Sequence, residues 1–219
     1  MARGKGNRGA SSGVKELVDS VKKHKNFRQL AAYSVQCLVK VVTPPHSGWE
    51  KNLKDAFDAG ALEAITAVLQ RHSGSEAVLQ SATACLSAMA KVPKYAGAMV
   101  DSGCMMSMVE SVISNVDGEG MGETMEVLES VALNNPEALL RANCVEACSR
   151  LLTAAGGAKG KPIIVRPTIR TLERLNKLPG GTKQMREAGV VPVLLEIAAA
   201  EGGDQQTLEV SYRMLDRMC

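Results

Sequence analysis

Aromatic residues are scarce: two Phe, three Tyr and one Trp make up 3% of the 219 residues. Ala, Val, Leu and Met must fill the core in their place, and small or flexible side chains suit close helix–helix packing. No apolar run approaches the roughly 20 residues that a membrane-spanning helix requires. No signal-peptide apolar segment follows the start of the chain. Polar–apolar alternation never lasts long enough for a strand, and Ile163-Ile164-Val165 is the one short candidate. Six cysteines (37, 85, 104, 144, 148 and 219) show no paired spacing. They fit reduced core residues in a cytosolic-type compartment rather than a disulfide framework.

Catalytic and metal signatures are missing too. His24, His46 and His72 fall in polar links with no nucleophile or carboxylate pattern around them. The stretch Gly156-Gly157-Ala158-Lys159-Gly160-Lys161-Pro162 superficially matches a phosphate loop. Ala155 stands at its first glycine position and Pro162 at its hydroxyl position, so it reads as a flexible basic loop. Cys144 and Cys148 share one helix face, but no second Cys or His pair completes a metal site, and core packing is expected. Met105, Met106 and Met108 read as core with one Met outward. No catalytic residue, metal ligand or cofactor is therefore expected.

What the chain does have is a recurring punctuation. Asp58-Ala59-Gly60 is followed at once by an amphipathic run with Leu62, Ile65, Val68 and Leu69 on one face. A glycine in the left-handed conformation ends one helix there and lets the next start at a steep angle. The unit returns at Asp101-Ser102-Gly103 and at Glu187-Ala188-Gly189. Arg141-Ala142-Asn143 is a weaker copy with Asn in the glycine position. The spacings from Gly60 to Gly103, Asn143 and Gly189 are 43, 40 and 46 residues, within the range of roughly 40–47 shared by HEAT-type and armadillo-type helical repeat arrays.

Each repeat then has three parts. A short helix runs to the stop (51–59, 94–102, 136–142, 182–188). A second of about three turns follows it (61–71, 104–115, 144–154, 190–200). A longer third helix closes the unit (75–91, 120–134, about 162–178, 204–218). Pro93, Pro136 and Pro179 fall at third-helix ends. Pro162 can open the fourth repeat's third helix, whereas Pro167 should kink or delay it. Residues 1–13 are glycine-rich, basic and without a residue to bury, and read as a disordered tail, either solubilising or a tether to nucleic acid.

The boundary D/E-A-G-A/V-x-x-x-L-x-x-L and third helices of the type seen at Ala82–Ala90 (ATACLSAMA) resemble the armadillo-repeat family. The resemblance spans nearly all of residues 14–219. It implies an all-α, right-handed α-solenoid of about four three-helix repeats (49–92, 93–134, 135–178 and 179–219) behind a partial N-terminal repeat, 14–48. It also implies that the third helices line a concave partner-binding groove. Members that bind extended peptides, such as importin-alpha, place Trp and Asn four residues apart there. The matching positions here are Gln36 and Lys40, Ala84 and Ala88, Glu126 and Ser130, Arg170 and Arg174, and Arg213 and Arg217. None is Trp or Asn, so the nuclear-localisation ligand of that family is not expected.

The lining instead runs from small residues, through acidic Glu126, to a row of arginines suited to carboxylates. The competing expectation is a solvated face in which Glu173 answers Arg170 and Glu209 answers Arg213 along the helix. Charge is banded throughout. Residues 1–28 hold eight Lys/Arg and two acids, 101–149 nine acids and one Arg, 150–186 nine Lys/Arg and one Glu, and 187–219 six acids and two Arg. In the last helix Leu208, Tyr212, Met214, Leu215 and Met218 exceed one buried stripe, so part of that end should face outward as an interaction surface.

The expected function is a non-catalytic protein–protein interaction scaffold. It would be a structural subunit of a larger, hetero-oligomeric eukaryotic assembly, with an acidic partner segment at the C-terminal end of the groove. The alternatives are an importin-like transport adaptor, or nucleic-acid binding through the basic tail and the 150–186 band. The expected compartment is cytoplasmic, with nuclear or organellar placement as the alternatives, the last if residues 1–13 begin a transit peptide.

Overall fold

Left-handed backbone at Gly60, Gly103, Asn143 and Gly189, with φ of 84°, 74°, 57° and 67°, ends four short helices and starts four others. The computed structural model describes residues 8–118, 121–200 and 204–218. Among these residues the chain forms fourteen α-helices and no strand. They are α1 (Arg8–His24), α2 (Arg28–Val42), α3 (Trp49–Asp58), α4 (Ala61–Arg71), α5 (Glu76–Ala90), α6 (Pro93–Asp101), α7 (Cys104–Ser114), α8 (Met121–Asn134), α9 (Pro136–Arg141), α10 (Cys144–Ala154), α11 (Pro162–Asn176), α12 (Gly181–Glu187), α13 (Val190–Ala198) and α14 (Gln205–Met218). None is long and apolar enough to cross a membrane.

The helices stack in rows. The third helices α2, α5, α8, α11 and α14 pack each on the next, forming one continuous ladder. The second helices α4, α7, α10 and α13 make a parallel ladder, and α1 packs on α4 at its head. One leucine recurs in register along the first ladder: Leu38, Leu86, Leu128, Leu172 and Leu215 are all buried. Burying such a side chain contributes about 1.5–3 kcal/mol. It does so only when a neighbouring repeat covers it, so stability is shared between units. The few aromatics add one tie between short helices, where the rings of Phe57 (α3) and Tyr95 (α6) stack with centroids 4.3 Å apart.

Three sequence expectations change. Helix α1 starts at Arg8, so the stretch read as a tail is helical from that residue on, and residues 1–7 lie outside the described residues. Pro162 does open α11, but the helix runs through Pro167 without delay. The missing N–H of Pro167 frees the carbonyl of Ile163, and that residue is exposed, so water can satisfy it. Ile163-Ile164-Val165 is the first turn of α11, not a strand.

Cys85, Cys104, Cys144 and Cys148 are free and buried, and Cys37 is half-buried. Burial pushes the thiols of Cys85, Cys104 and Cys144 up to about 12, and that of Cys148 up as well. Cys219 lies outside the described residues. Met105 and Met108 are core, and Met106 is half-buried against the Cys144 thiol at 3.7 Å.

Candidate groove along the third-helix ladder

The ten lining positions named from the sequence all lie on the third-helix ladder. Gln36, Lys40 and Ala84 line a depression of about 300 Å³ between α2 and α5, together with Val39, Gln80 and Ser81. Gln36 and Lys40 are exposed, and Ala84 leaves room beside them because it ends at Cβ. Ala88 is almost buried, at 9% exposure. Glu126 is exposed on α8. Ser130 is half-buried because its hydroxyl donates to the carbonyl of Ala90 at 3.3 Å. Asn134 Nδ2 donates to the same carbonyl at 2.9 Å. That carbonyl ends α5 and has no partner within its own helix.

The four arginines do not form a free cationic patch. Arg170 and Arg174 both reach Glu129 of α8, at 3.7 and 3.9 Å. Arg170 also donates to Gln206 at 3.2 Å, and Arg174 to the Glu129 carbonyl at 3.4 Å. Arg213 meets Glu173 of α11 at 3.1 Å and Glu209 of its own helix at 2.8 Å. Arg217 is exposed and has no partner among the described residues. Glu209 thus answers Arg213 as helix spacing suggests. Glu173 does not answer Arg170: it takes Lys177 at 3.1 Å and Arg213 of the next repeat. Partial burial pulls the Glu173 carboxyl up, but hydrogen bonds and charge from Lys177 and Arg213 outweigh it and hold it below its ordinary value.

The same logic explains the charge banding. Lys161 meets Asp117 at 3.3 Å, Arg166 meets Asp204 at 2.7 Å, and Arg150 holds Glu110 through two bonds of 2.5 and 3.0 Å. Five of the nine Lys/Arg of the 150–186 band thus meet acids of the repeats on either side. Exposed pairs of this kind contribute about 0–1 kcal/mol each, so they set register more than stability.

A second depression, of about 440 Å³, lies between α10 and α12. Asn143, Glu146, Arg150, Gln184, Glu187 and Ala188 line it. Among the described residues no serine, cysteine or histidine nucleophile–base pair lines it. Among the described residues no group of three His, Cys, Asp or Glu is placed to hold a metal ion.

No family model matches this sequence, and no curated protein does. Solved structures do. A designed armadillo repeat protein superposes with a TM-score of 0.58 at 14% identity, over 99% of this chain and 96% of that one. Computationally designed armadillo repeat proteins for modular peptide recognition reach 0.60 at 15% identity, over 98% and 95%. The chain folds as an armadillo-repeat solenoid. A further designed armadillo repeat protein, solved in complex with the peptide (KR)4, matches with a TM-score of 0.59 at 13% identity, over 97% and 92%. At such identities the likeness concerns the armadillo backbone and not the groove side chains. In this armadillo solenoid the ten positions named from the sequence lie along the third-helix ladder.

Proposed function

We propose that the chain is a non-catalytic protein-interaction scaffold, a structural subunit of a larger eukaryotic assembly, that holds an extended protein segment along the third-helix ladder. The observation that carries this reading is the ladder itself, five stacked helices with an open depression where Ala84 and Ser81 replace large side chains. Gln36 and Gln80 border that depression with amides able to bond a peptide main chain.

At the C-terminal half the segment is acidic. A guanidinium has five N–H donors, and the internal carboxylates use only some of those on Arg170, Arg174 and Arg213. Arg217 adds a cation with no partner among the described residues. Incoming carboxylates then complete the arginine shells and need not displace Glu129 or Glu173. The (KR)4 ligand of the designed armadillo protein has the opposite charge, which fits a lining that differs at every Trp and Asn position. An importin-like adaptor is disfavoured for that reason. Nucleic-acid binding through the 150–186 band is disfavoured because seven of its nine Lys/Arg already pair with an acid, and a run of phosphates needs many free cations where a short acidic segment needs only the donors left at one end. Four buried cysteines without a disulfide among the described residues support a cytoplasmic location.

The test is a titration of two fluorescent octapeptides, one of alternating Asp and Glu and one of alternating Lys and Arg. The acidic peptide binds, more weakly as salt rises. Arg174→Glu with Arg217→Glu reduces binding tenfold or more, with the circular dichroism unchanged. Preference for the basic peptide, or indifference to the charge reversals, contradicts the proposal.

A further inference from the structure

The two ends of the third-helix ladder are the two halves of an interface that the molecule already makes four times. In α2, α5, α8 and α11 the residue just before the first lining position is Val35, Thr83, Met125 or Ile169, each 1% exposed. In α14 the same position is Tyr212, at 57%. Four residues earlier, Ala31, Leu79, Met121 and Val165 are buried, while Leu208 of α14 is only half-buried. These are the positions that a following repeat covers: Thr83 of α5, for instance, bonds Thr124 of α8 at 2.9 Å.

The head of the ladder is open in the complementary way. Six residues before the first lining position stand Val78, Ile164 and Thr207, all buried in helices that have a predecessor. Their counterpart in α2 is Leu30, 48% exposed. Just after the first lining position Cys85, Val127, Thr171 and Met214 are buried, whereas Cys37 is half-buried. Phe27 and Tyr33 flank this stripe at 62% and 64% exposure. Three of the six aromatic residues are thus exposed, and all three sit at the two ends of the ladder.

Charge marks the same register. Glu129 and Glu173 occupy equivalent positions in α8 and α11, and each binds an arginine from a lining position of the next helix. The next acid in that register is Asp216 of α14, exposed and without a partner among the described residues. The cation at a lining position of α2 is Lys40. Residues 8–42 carry seven Lys/Arg and two acids, and residues 190–218 carry five acids and two Arg.

We infer that a second copy of this chain stacks head to tail on the first. The α13–α14 end of one copy seats on the α1–α2 end of the next, with Tyr212 and Leu208 against Leu30 and Cys37 and with Asp216 beside Lys40. The interface is heterologous, so it propagates and builds a chain of copies that continues the solenoid. This names an occupant for the C-terminal end. It does not depend on what the groove binds: Leu30 and Tyr212 are not lining residues, and of the contacts named only Lys40 is one.

Sedimentation velocity of the full chain across a hundredfold range of concentration tests it. The weight-average mass of the wild type rises past that of a dimer. Leu30→Glu destroys every head and Tyr212→Glu every tail, so each variant alone stays a monomer. An equimolar mixture of the two makes a heterodimer and stops there, because one live tail meets one live head. Lys40→Glu weakens assembly, and adding Asp216→Lys restores it. A wild type that is monomeric at every concentration overturns the inference, and so does a symmetric dimer untouched by either single change. A mixture that fails to pair overturns it as well. Acidic-peptide binding by the Leu30→Glu variant reports on the groove separately.

Discussion

Asn134 of α8 donates its side-chain amide to the carbonyl of Ala90, the last residue of α5, at 2.9 Å. One repeat thereby caps the helix of the repeat before it. Ser130 supports the bond from 3.3 Å. Similar bonds recur between units. Lys22 reaches the Ala59 carbonyl at 2.7 Å and Asn115 that of Ser73 at 2.8 Å, while within the last repeat Arg186 reaches the Met218 carbonyl. Asn134→Ala should cost about 1 kcal/mol, because Ser130 keeps the carbonyl partly satisfied. Adding Ser130→Ala should cost more than the two single changes summed, since a buried carbonyl then loses both partners. Urea denaturation of the three variants measures this, and strict additivity would count against shared capping.

Gly103 has φ of 74° and no heavy atom within 4 Å of where a Cβ would stand. Gly103→Ala should therefore lose about 1 kcal/mol through backbone strain alone. Asn143 occupies the equivalent stop with φ of 57°, so Asn143→Gly should be near neutral and Asn143→Ala destabilising. Thermal melts distinguish these; equal losses for all three would place the cost in packing instead.

The buried thiols make stability sensitive to alkali. Their folded pKa lies above the unfolded value, so the contribution is complete below an ordinary thiol pKa of about 9 and is lost as pH rises towards 12. The folding free energy should fall steeply above about pH 9. Native-state maleimide labelling at pH 7 should modify Cys37 well before Cys85, Cys104, Cys144 and Cys148.

Asp204 caps α14. Its Oδ2 accepts from the Thr207 hydroxyl at 2.6 Å and the Thr207 N–H at 3.0 Å, while Arg166 of α11 donates to both its oxygens. The Thr207 hydroxyl bond leads in holding its carboxyl below the ordinary value, with the Thr207 N–H and Arg166 adding to it against a smaller upward pull from desolvation. That stability is present above the unfolded carboxylate pKa and is lost as pH falls through the lowered one. Asp204→Ala should cost about 1 kcal/mol at neutral pH. Asp204→Asn should retain part of the cap and remove the acid dependence at this site.

Local rules carried the reading of this chain most of the way. Glycine or Asn stops and helical periodicity place the helix starts and ends within about two residues over most of the chain, because backbone conformation at a stop is a property of that residue. The ion pairs were harder to read. Spacing along α11 pairs Glu173 with Arg170, yet the stacked neighbour brings Arg213 closer. Leu30 has the spacing of a buried residue but is exposed, because among the described residues no third helix packs on α2 from the N-terminal side. Of the apolar residues of α14, Met214, Leu215 and Met218 go inward and Tyr212 outward, its hydroxyl bonded to the Ala198 carbonyl at 2.8 Å. Which partner a side chain finds across two repeats depends on stacking geometry, and that geometry has no single-helix signature.

The groove is tested most directly by arginine side-chain Nε–Hε resonances followed while the acidic octapeptide is added. The signals of Arg170, Arg174, Arg213 and Arg217 should move together and saturate with one affinity, while those of Arg150 and Arg186, away from the lining positions, stay still. Movement confined to Arg150 and Arg186, or no movement at saturating peptide, would contradict a binding surface on the third-helix ladder.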